Sequence, residues 1–128
     1  MKLSDEERLF LAARPETEAL YAVLREKIEE RLGPCGVEVH RTQISLKKRY
    51  GFAAVSFAPV RCTAERPKSF LTLSLSLRAP LDSLRVAAAV QISQRRWMHH
   101  FMLSDEREID EELLGWIAEA ANLAEVKR

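Results

Sequence analysis

The stretch SFLTLSLSLR, residues 69–78, has the clearest structural pattern in this chain. Every second position from residue 71 is a leucine, and a hydroxyl residue or an arginine follows each one; the leucines are Leu71, Leu73, Leu75 and Leu77. Neighbouring residues of a strand point to opposite faces of a sheet, so the four leucines share one face. The pattern therefore predicts a strand with one face on a hydrophobic core and a polar face on the other side.

Helical patterns lie at both ends of the sequence. The residues SDEE at positions 4–7 fit a capping box, and Arg14-Pro15 predicts the end of that first helix. A second helix is predicted up to Gly33-Pro34, because apolar residues recur there at helical spacing. Asp110 fits the cap of a final helix, with Ile109 and Leu114 placed as a hydrophobic staple.

Between these helices the hydrophobic period changes to two. Four further stretches are predicted as strands: residues 37–50, 52–60, 89–93 and 97–103. Short connections between strands favour antiparallel pairing, and helices segregated at the chain ends favour packing on one face. The predicted fold is an α+β two-layer sandwich, an antiparallel sheet of about five strands with the N- and C-terminal helices on one face. Residues 1–14 are predicted as a helical extension and residues 15–128 as a single α+β domain.

Charge is unevenly distributed along the chain. Residues 36–103 hold 11 lysines and arginines against 3 acidic residues, whereas residues 1–35 carry a net charge of −2 and residues 104–128 carry −5. This asymmetry predicts acidic helices on one side and a neutral-to-positive sheet face on the other. The N-terminus lacks the basic start and apolar run of a secretory signal, and no apolar stretch reaches the ~20 residues that span a bilayer. We therefore expect a cytoplasmic protein without a membrane partner.

The sheet face opposite the leucines is the candidate binding surface. Its small side chains leave room for a ligand, and the basic residues at its rim attract an anion. A plain solvated strand face explains the same composition equally well. Val90 and Ile92 are expected to face the helices instead. The candidate ligand-binding residues are Ser45, Lys47, Ser74, Ser76, Arg78, Arg96, Trp97, His99 and His100.

Two adjacent histidines lie in the last predicted strand, within the stretch SQRRWMHHFMLS at residues 93–104. Strand alternation puts Trp97 and His99 on the core side, where His99 is expected to be a buried or rim histidine with a hydrogen-bond partner. His100 is expected on the polar face between Met98 and Met102, as a donor to an anion or as a titrating group.

Several chemistries are not expected. The sequence contains no GxGxxG, GxxxxGK[ST], HExxH or GxSxG motif, so it predicts no cofactor. His40 and His100 have no nearby carboxylate or thiolate pair with which to complete a metal site. Cys35 and Cys62 form no CxxC pair and are expected to be free thiols.

Four stretches, RTQISL, LTLSLSL, RRWMHHFML and IDEELLGWIAEA, together resemble an uncharacterised bacterial family, domain of unknown function 5655. The resemblance covers about residues 15–125. Its most specific part is residues 96–100, which look like the Arg-Trp-x-His-His signature of that family. The resemblance implies a small α+β domain, found alone or attached to larger proteins, and implies no established activity. The roles of Arg96, Trp97, His99 and His100 therefore stay open.

Three functions from different classes fit this sequence. The first is a non-enzymatic binding module whose polar sheet face accepts an anionic small molecule or an acidic protein segment. Nucleic acid fits less well, because Trp97 is a single aromatic residue that is expected to point inward. The second is a small enzyme that uses His100 with an arginine and a hydroxyl residue such as Ser74. The third is an assembly domain, in which copies of the chain pack together. The sequence leaves open whether the protein is a monomer or a homodimer.

Overall fold

The structure, a computed structural model, describes residues 2–59 and 69–126, so Cys62 lies outside the described residues. Within these ranges no helix has both the length and the hydrophobicity that crossing a bilayer requires. Short 3₁₀ turns at Pro15–Thr17 and Glu106–Glu108 precede the second and third helices. The elements in chain order are α1 (Asp5–Leu11), α2 (Glu18–Leu32), β1 (Gly36–Val39), β2 (Gln43–Lys47), β3 (Gly51–Ser56), β4 (Leu71–Leu77), β5 (Ala88–Ser93), β6 (Arg96–Leu103) and α3 (Glu111–Val126).

The six described strands form one sheet in the order β1-β2-β3-β4-β6-β5, and every neighbouring pair is antiparallel. The α+β class is confirmed, but the expected number of strands was one too low. Residues 37–50, predicted as one strand, fold into the β1–β2 hairpin, in which the His40 N–H donates to the Gln43 carbonyl at 2.8 Å. The turn sequence HRTQ lacks the Gly, Asn, Asp or Pro that marks most tight turns, so no local pattern predicts this reversal.

β4 lies near the centre of the sheet, and its alternation is confirmed. Its four leucines are at most 1% exposed. Leu73 lies opposite Phe101 of β6, and the Phe101 ring stacks on Trp116 of α3 with 5.5 Å between ring centroids. α3 approaches β3 and β4 most closely, and its Leu113 and Ile117 are buried. The helices therefore cover the leucine face of the sheet.

The loop before β5 is attached to the start of α3. Asp110 caps α3, because its Oδ1 accepts the Leu113 N–H at 3.0 Å, as the sequence predicted. The Arg85 guanidinium donates to both Asp110 oxygens, at 2.9 and 3.1 Å, and to Glu112 at 2.9 Å. It also lies 5.7 Å from the Trp116 ring centroid. The Leu113 N–H and then Arg85 lower the pKa of Asp110. These contacts hold the loop over the side of the sheet that carries His99.

A buried carboxylate connects α1 to α2. One Glu7 oxygen accepts the Ser4 N–H at 2.9 Å and so completes the predicted capping box. The other accepts the Tyr21 hydroxyl and lies 3.4 Å from Arg25 Nε. Glu7 and Tyr21 are 2% and 0% exposed. Burial, followed by the bond to Glu7, raises the pKa of Tyr21. Leu11 of the same helix is also buried, so α1 is packed into the core; the division at residue 14 stays a prediction.

Replacing Tyr21 with Phe should therefore destabilise the protein. The change leaves a buried carboxylate oxygen without its hydroxyl donor, which costs about 1–3 kcal/mol of unfolding free energy. Urea unfolding followed by circular dichroism measures the difference. Leu9→Ala is the matched control, because Leu9 lies on α1 but is 77% exposed, and it should change stability by less than about 0.5 kcal/mol. Equal effects of the two substitutions would contradict the role given to this carboxylate.

Candidate functional site on the open face of the sheet

The sheet face opposite the helices carries the predicted polar surface, and we call it the open face. Strand register defines it, because residues directly opposite each other across a ladder share a face. One row of partners runs across the sheet, and its members are Glu38, Ser45, Ala54, Ser74, His100 and Ala88. The residues at its centre, Ala54 and Ser74, have small side chains.

Ser74 and His100 form a hydrogen bond at the middle of the open face. Ser74 Oγ and His100 Nδ1 are 2.8 Å apart, and both residues are half-buried. Burial, and next the neighbouring His99, lower the pKa of His100, so its ring is neutral at neutral pH. Met98 and Met102 stand on either side of His100 along β6 on the same face. A polar pair is thus flanked by apolar, flexible side chains.

A second hydrogen-bonded pair lies beside the first. Arg96 Nε donates to Ser76 Oγ at 3.1 Å, two residues along β4 from Ser74. A cavity of about 60 Å³ adjoins Ser76 and Arg96, between Phe52 at the start of β3 and the last turns of α3. This bond fixes the direction of the guanidinium next to an open space.

Several basic residues lie at the same end of the sheet as Arg96, and we call this end of the sheet the basic end. The β2–β3 turn, the end of β4 and the β5–β6 turn all lie there, because the strands that they join run antiparallel. In the described chain Lys47 pairs with Glu38 at 3.2 Å, whereas Arg78, Arg95 and Arg96 make no ion pair. The basic end consists of Lys47, Lys48, Arg49, Arg78, Arg95 and Arg96.

His99 lies on the helix side and is fully buried, as the strand alternation predicted. Its Nε2 accepts the Leu81 N–H at 3.1 Å, so this nitrogen carries no proton. Its Nδ1 therefore holds the proton and donates to the Trp97 carbonyl at 3.0 Å. Burial lowers the pKa of His99, which keeps the ring neutral. Both ring nitrogens have partners within the protein, so His99 fixes the loop before β5 against β6.

The predicted site residues thus fall into three groups. Hydrogen bonds join Ser74 to His100 and Ser76 to Arg96 on the open face. Ser45, Lys47 and Arg78 lie on the same face or at its basic end, without a bond to those pairs. Trp97 and His99 lie opposite Leu77 and Leu75, on the helix side.

The expectation for β5 was wrong. Val90 lies opposite Met98 and therefore on the open face, and it is 53% exposed. Ile92, at a shift in the ladder, is 51% exposed. The alternation of apolar and polar residues in β5 is visible in the sequence. Which of the two sets faces the core depends on how β5 pairs with β6, and the sequence does not show that. The sequence analysis also missed the role of Arg85, because an arginine in a loop does not by itself indicate which acidic residues it will contact.

Other features lie away from this face. Among the described residues no three His, Cys, Asp or Glu side chains are placed to hold a metal ion. A groove of about 420 Å³ lies on the helical side, where Lys27 and Arg31 meet the start of α3. The Cys35 thiol is half-buried at the end of α2, and burial raises its pKa.

The fold and this face define a small α+β domain whose described helices pack on the leucine side of its sheet and whose polar pairs lie on the other side. The chain matches the model of the family described as Domain of unknown function (DUF5655) over residues 6–124, and it belongs to that family. The resemblance is therefore confirmed, and the match begins within α1. No curated protein and no solved structure matches the chain. The family description assigns no activity, so the function must be argued from the chain itself.

The lowered pKa values of His99 and His100 predict that acid destabilises the fold. Below the ordinary histidine value of 6.5 the unfolded chain binds protons that the folded chain does not. The unfolding free energy should therefore fall as the pH is lowered through 6.5, and lose this dependence below the folded pKa values. His99→Gln keeps a donor and an acceptor but cannot titrate, so its denaturation midpoint should depend less on pH.

Urea midpoints at a series of pH values measure this slope. His40→Gln, in the β1–β2 turn, is the matched control for the loss of one histidine. A His99→Gln slope identical to that of the wild type would show that His99 gains its proton as easily in the folded as in the unfolded state.

Proposed function

We propose that the open face binds an anionic small molecule that has an apolar group next to its charge. The observation that carries this proposal is the pair of adjacent hydrogen bonds, Ser74 with His100 and Ser76 with Arg96, on the sheet face opposite the leucines of β4. Both bonds orient a nitrogen-bearing side chain on the same surface. Two oriented donors and a neighbouring hydroxyl are the groups that recognise a phosphate or a carboxylate.

Arg96 provides the charge for this ligand. Its Nε is held by Ser76, so the guanidinium is oriented before the ligand arrives. Its side chain makes no ion pair in the described part of the chain, which leaves its charge uncompensated. Bidentate contact with an oxyanion suits the planar guanidinium, and orientation in advance lowers the entropy lost on binding.

β6 and β5 provide an apolar surface for the remainder of the ligand. Met98 lies between Val90 on one side and Ser76 on the other, within reach of Arg96. Methionine is flexible and polarizable, so it adapts to aromatic or aliphatic groups. The neighbouring residues on β3 and β4, Ala54 and Ser74, have small side chains. An aryl or alkyl phosphate therefore fits this face better than inorganic phosphate does.

Binding of phenyl phosphate tests this proposal. Inorganic phosphate carries the charge without the ring, and benzyl alcohol carries the ring without the charge. Isothermal titration at low salt should show the tightest binding for phenyl phosphate. Arg96→Ala should weaken that binding about tenfold or more, because a charge-assisted hydrogen bond contributes about 1.5–3 kcal/mol. Arg107→Ala is the control, since Arg107 is an exposed arginine outside the face. Failure of all anions to bind would overturn the proposal.

Binding should also tighten as the pH falls. A bound anion raises the pKa of His100 towards or above its ordinary value, so proton uptake accompanies binding. His100→Gln should remove the part of this pH dependence that exceeds the titration of the phosphate ester itself, while keeping part of the affinity. An affinity that is independent of pH in the wild type would exclude His100 from the site.

A second candidate function is acyl or phosphoryl transfer with Ser74 as nucleophile and His100 as base. The 2.8 Å contact between them favours it, because an activated hydroxyl needs a base within hydrogen-bond reach. β4 is paired on both sides, so its N–H groups lie in the ladders and offer no oxyanion hole. Arg96 would have to stabilise the developing charge alone, and binding without reaction is therefore the better-supported function.

A fluorophosphonate probe distinguishes the two functions. We expect no labelling of Ser74 by mass spectrometry, because the site lacks backbone donors for the reaction. Labelling of the wild type that disappears in both Ser74→Ala and His100→Gln would establish the enzyme instead.

A further inference from the structure

β5 is an edge of the sheet that the described chain leaves uncovered. It pairs with β6 alone among the described strands, and five of its six residues are exposed. The strand AAVQIS contains no charged residue and no proline. Edge strands of monomeric proteins are usually short, charged, interrupted by proline or covered, because their free backbone groups otherwise pair with another chain.

The opposite edge has the protection that β5 lacks. β1 has four residues, and its Glu38 forms an ion pair with Lys47. α1 also packs close to β1. A shift in the β5–β6 ladder between Gln91 and Ser93 protects only the end of β5 and leaves Ala88–Gln91 in regular register. The two edges of one sheet therefore differ in charge, length and cover.

Neither side of β5 would obstruct an added strand. Ala89 and Gln91 lie opposite His99 and Trp97, on the side that the helices cover further in, yet both are exposed. The helical layer therefore ends before it reaches this edge. On the open face Val90 presents an apolar side chain that is 53% exposed.

We propose that β5 pairs antiparallel with β5 of a second copy of this chain about a two-fold axis. The resulting dimer has one continuous sheet across both copies. Because β5 is uncharged, self-pairing places no like charges opposite each other within the strand. Val90 of each copy then lies near the axis, where contact with its counterpart buries the apolar side chains.

Charge at the ends of β5 favours a second copy over an unrelated strand. Antiparallel pairing places the C-terminal end of one β5 beside the N-terminal end of the other. Arg95 follows the first end and makes no ion pair in the described chain. Asp110 and Glu112 share the single cation Arg85, which lies three residues before β5, and so give the other end an acidic surplus. A two-fold axis repeats this complementarity twice.

Sedimentation and light scattering across the micromolar range test this dimer. The wild type should shift with concentration from the 14.6 kDa monomer to twice that mass. Val90→Lys should raise the dimer dissociation constant about tenfold or more, because it brings two like charges together near the axis. Leu9→Lys is the matched control at another exposed apolar residue, and it should leave the dissociation constant unchanged.

Amide hydrogen exchange locates the interface. Protection of residues 88–93 should rise with concentration in the wild type and Leu9→Lys, but not in Val90→Lys. If circular dichroism shows that Val90→Lys is unfolded, Ile92→Lys takes its place on the same strand. A wild type that stays monomeric overturns the proposal, and so does a dimer that resists both substitutions in β5. Because Val90 also borders the proposed ligand surface, ligand binding is tested separately with Arg96→Ala, which leaves β5 unchanged.

Discussion

The register between β4 and β6 places Leu75 opposite His99 and Ser74 opposite His100. A shift of one residue would move the leucines of β4 into water and its hydroxyl groups into the core. Burying a leucine side chain contributes about 1.5–3 kcal/mol, so four of them under the helices hold this register strongly. The open face follows from that requirement, because whatever lies between the leucines must point away from the helices.

The same register gives two adjacent histidines opposite tasks. His99 has a hydrogen-bond partner for each ring nitrogen within the protein and contributes to the attachment of the loop before β5. His100 bonds to a side chain on the outer surface and stands between two methionines. The Arg-Trp-x-His-His stretch therefore combines a structural residue with residues suited to a binding surface. These residues are adjacent in sequence because they belong to one strand, but they point to its two sides and so do not form a single site.

The proposed ligand surface and the proposed dimer edge meet at Val90 but otherwise depend on different groups. Arg96 and Ser76 form a charged, oriented contact at the basic end. Val90 and the backbone of β5 form a neutral edge that the helices leave bare. Arg85 ties the loop before that edge to α3 through Asp110 and Glu112, so the edge is attached to the helical layer without being covered by it.

Side-chain periodicity within single segments determined the helices and their caps, the leucine face, and the opposite directions of His99 and His100. These features depend on neighbours a few residues away, so the sequence alone predicts them. The tertiary structure decided the β1–β2 reversal, the outward direction of Val90, and the contacts of Ser74 with His100 and Ser76 with Arg96. Those features depend on strand order and register, which the packing of residues far apart in the chain selects and which no local pattern records.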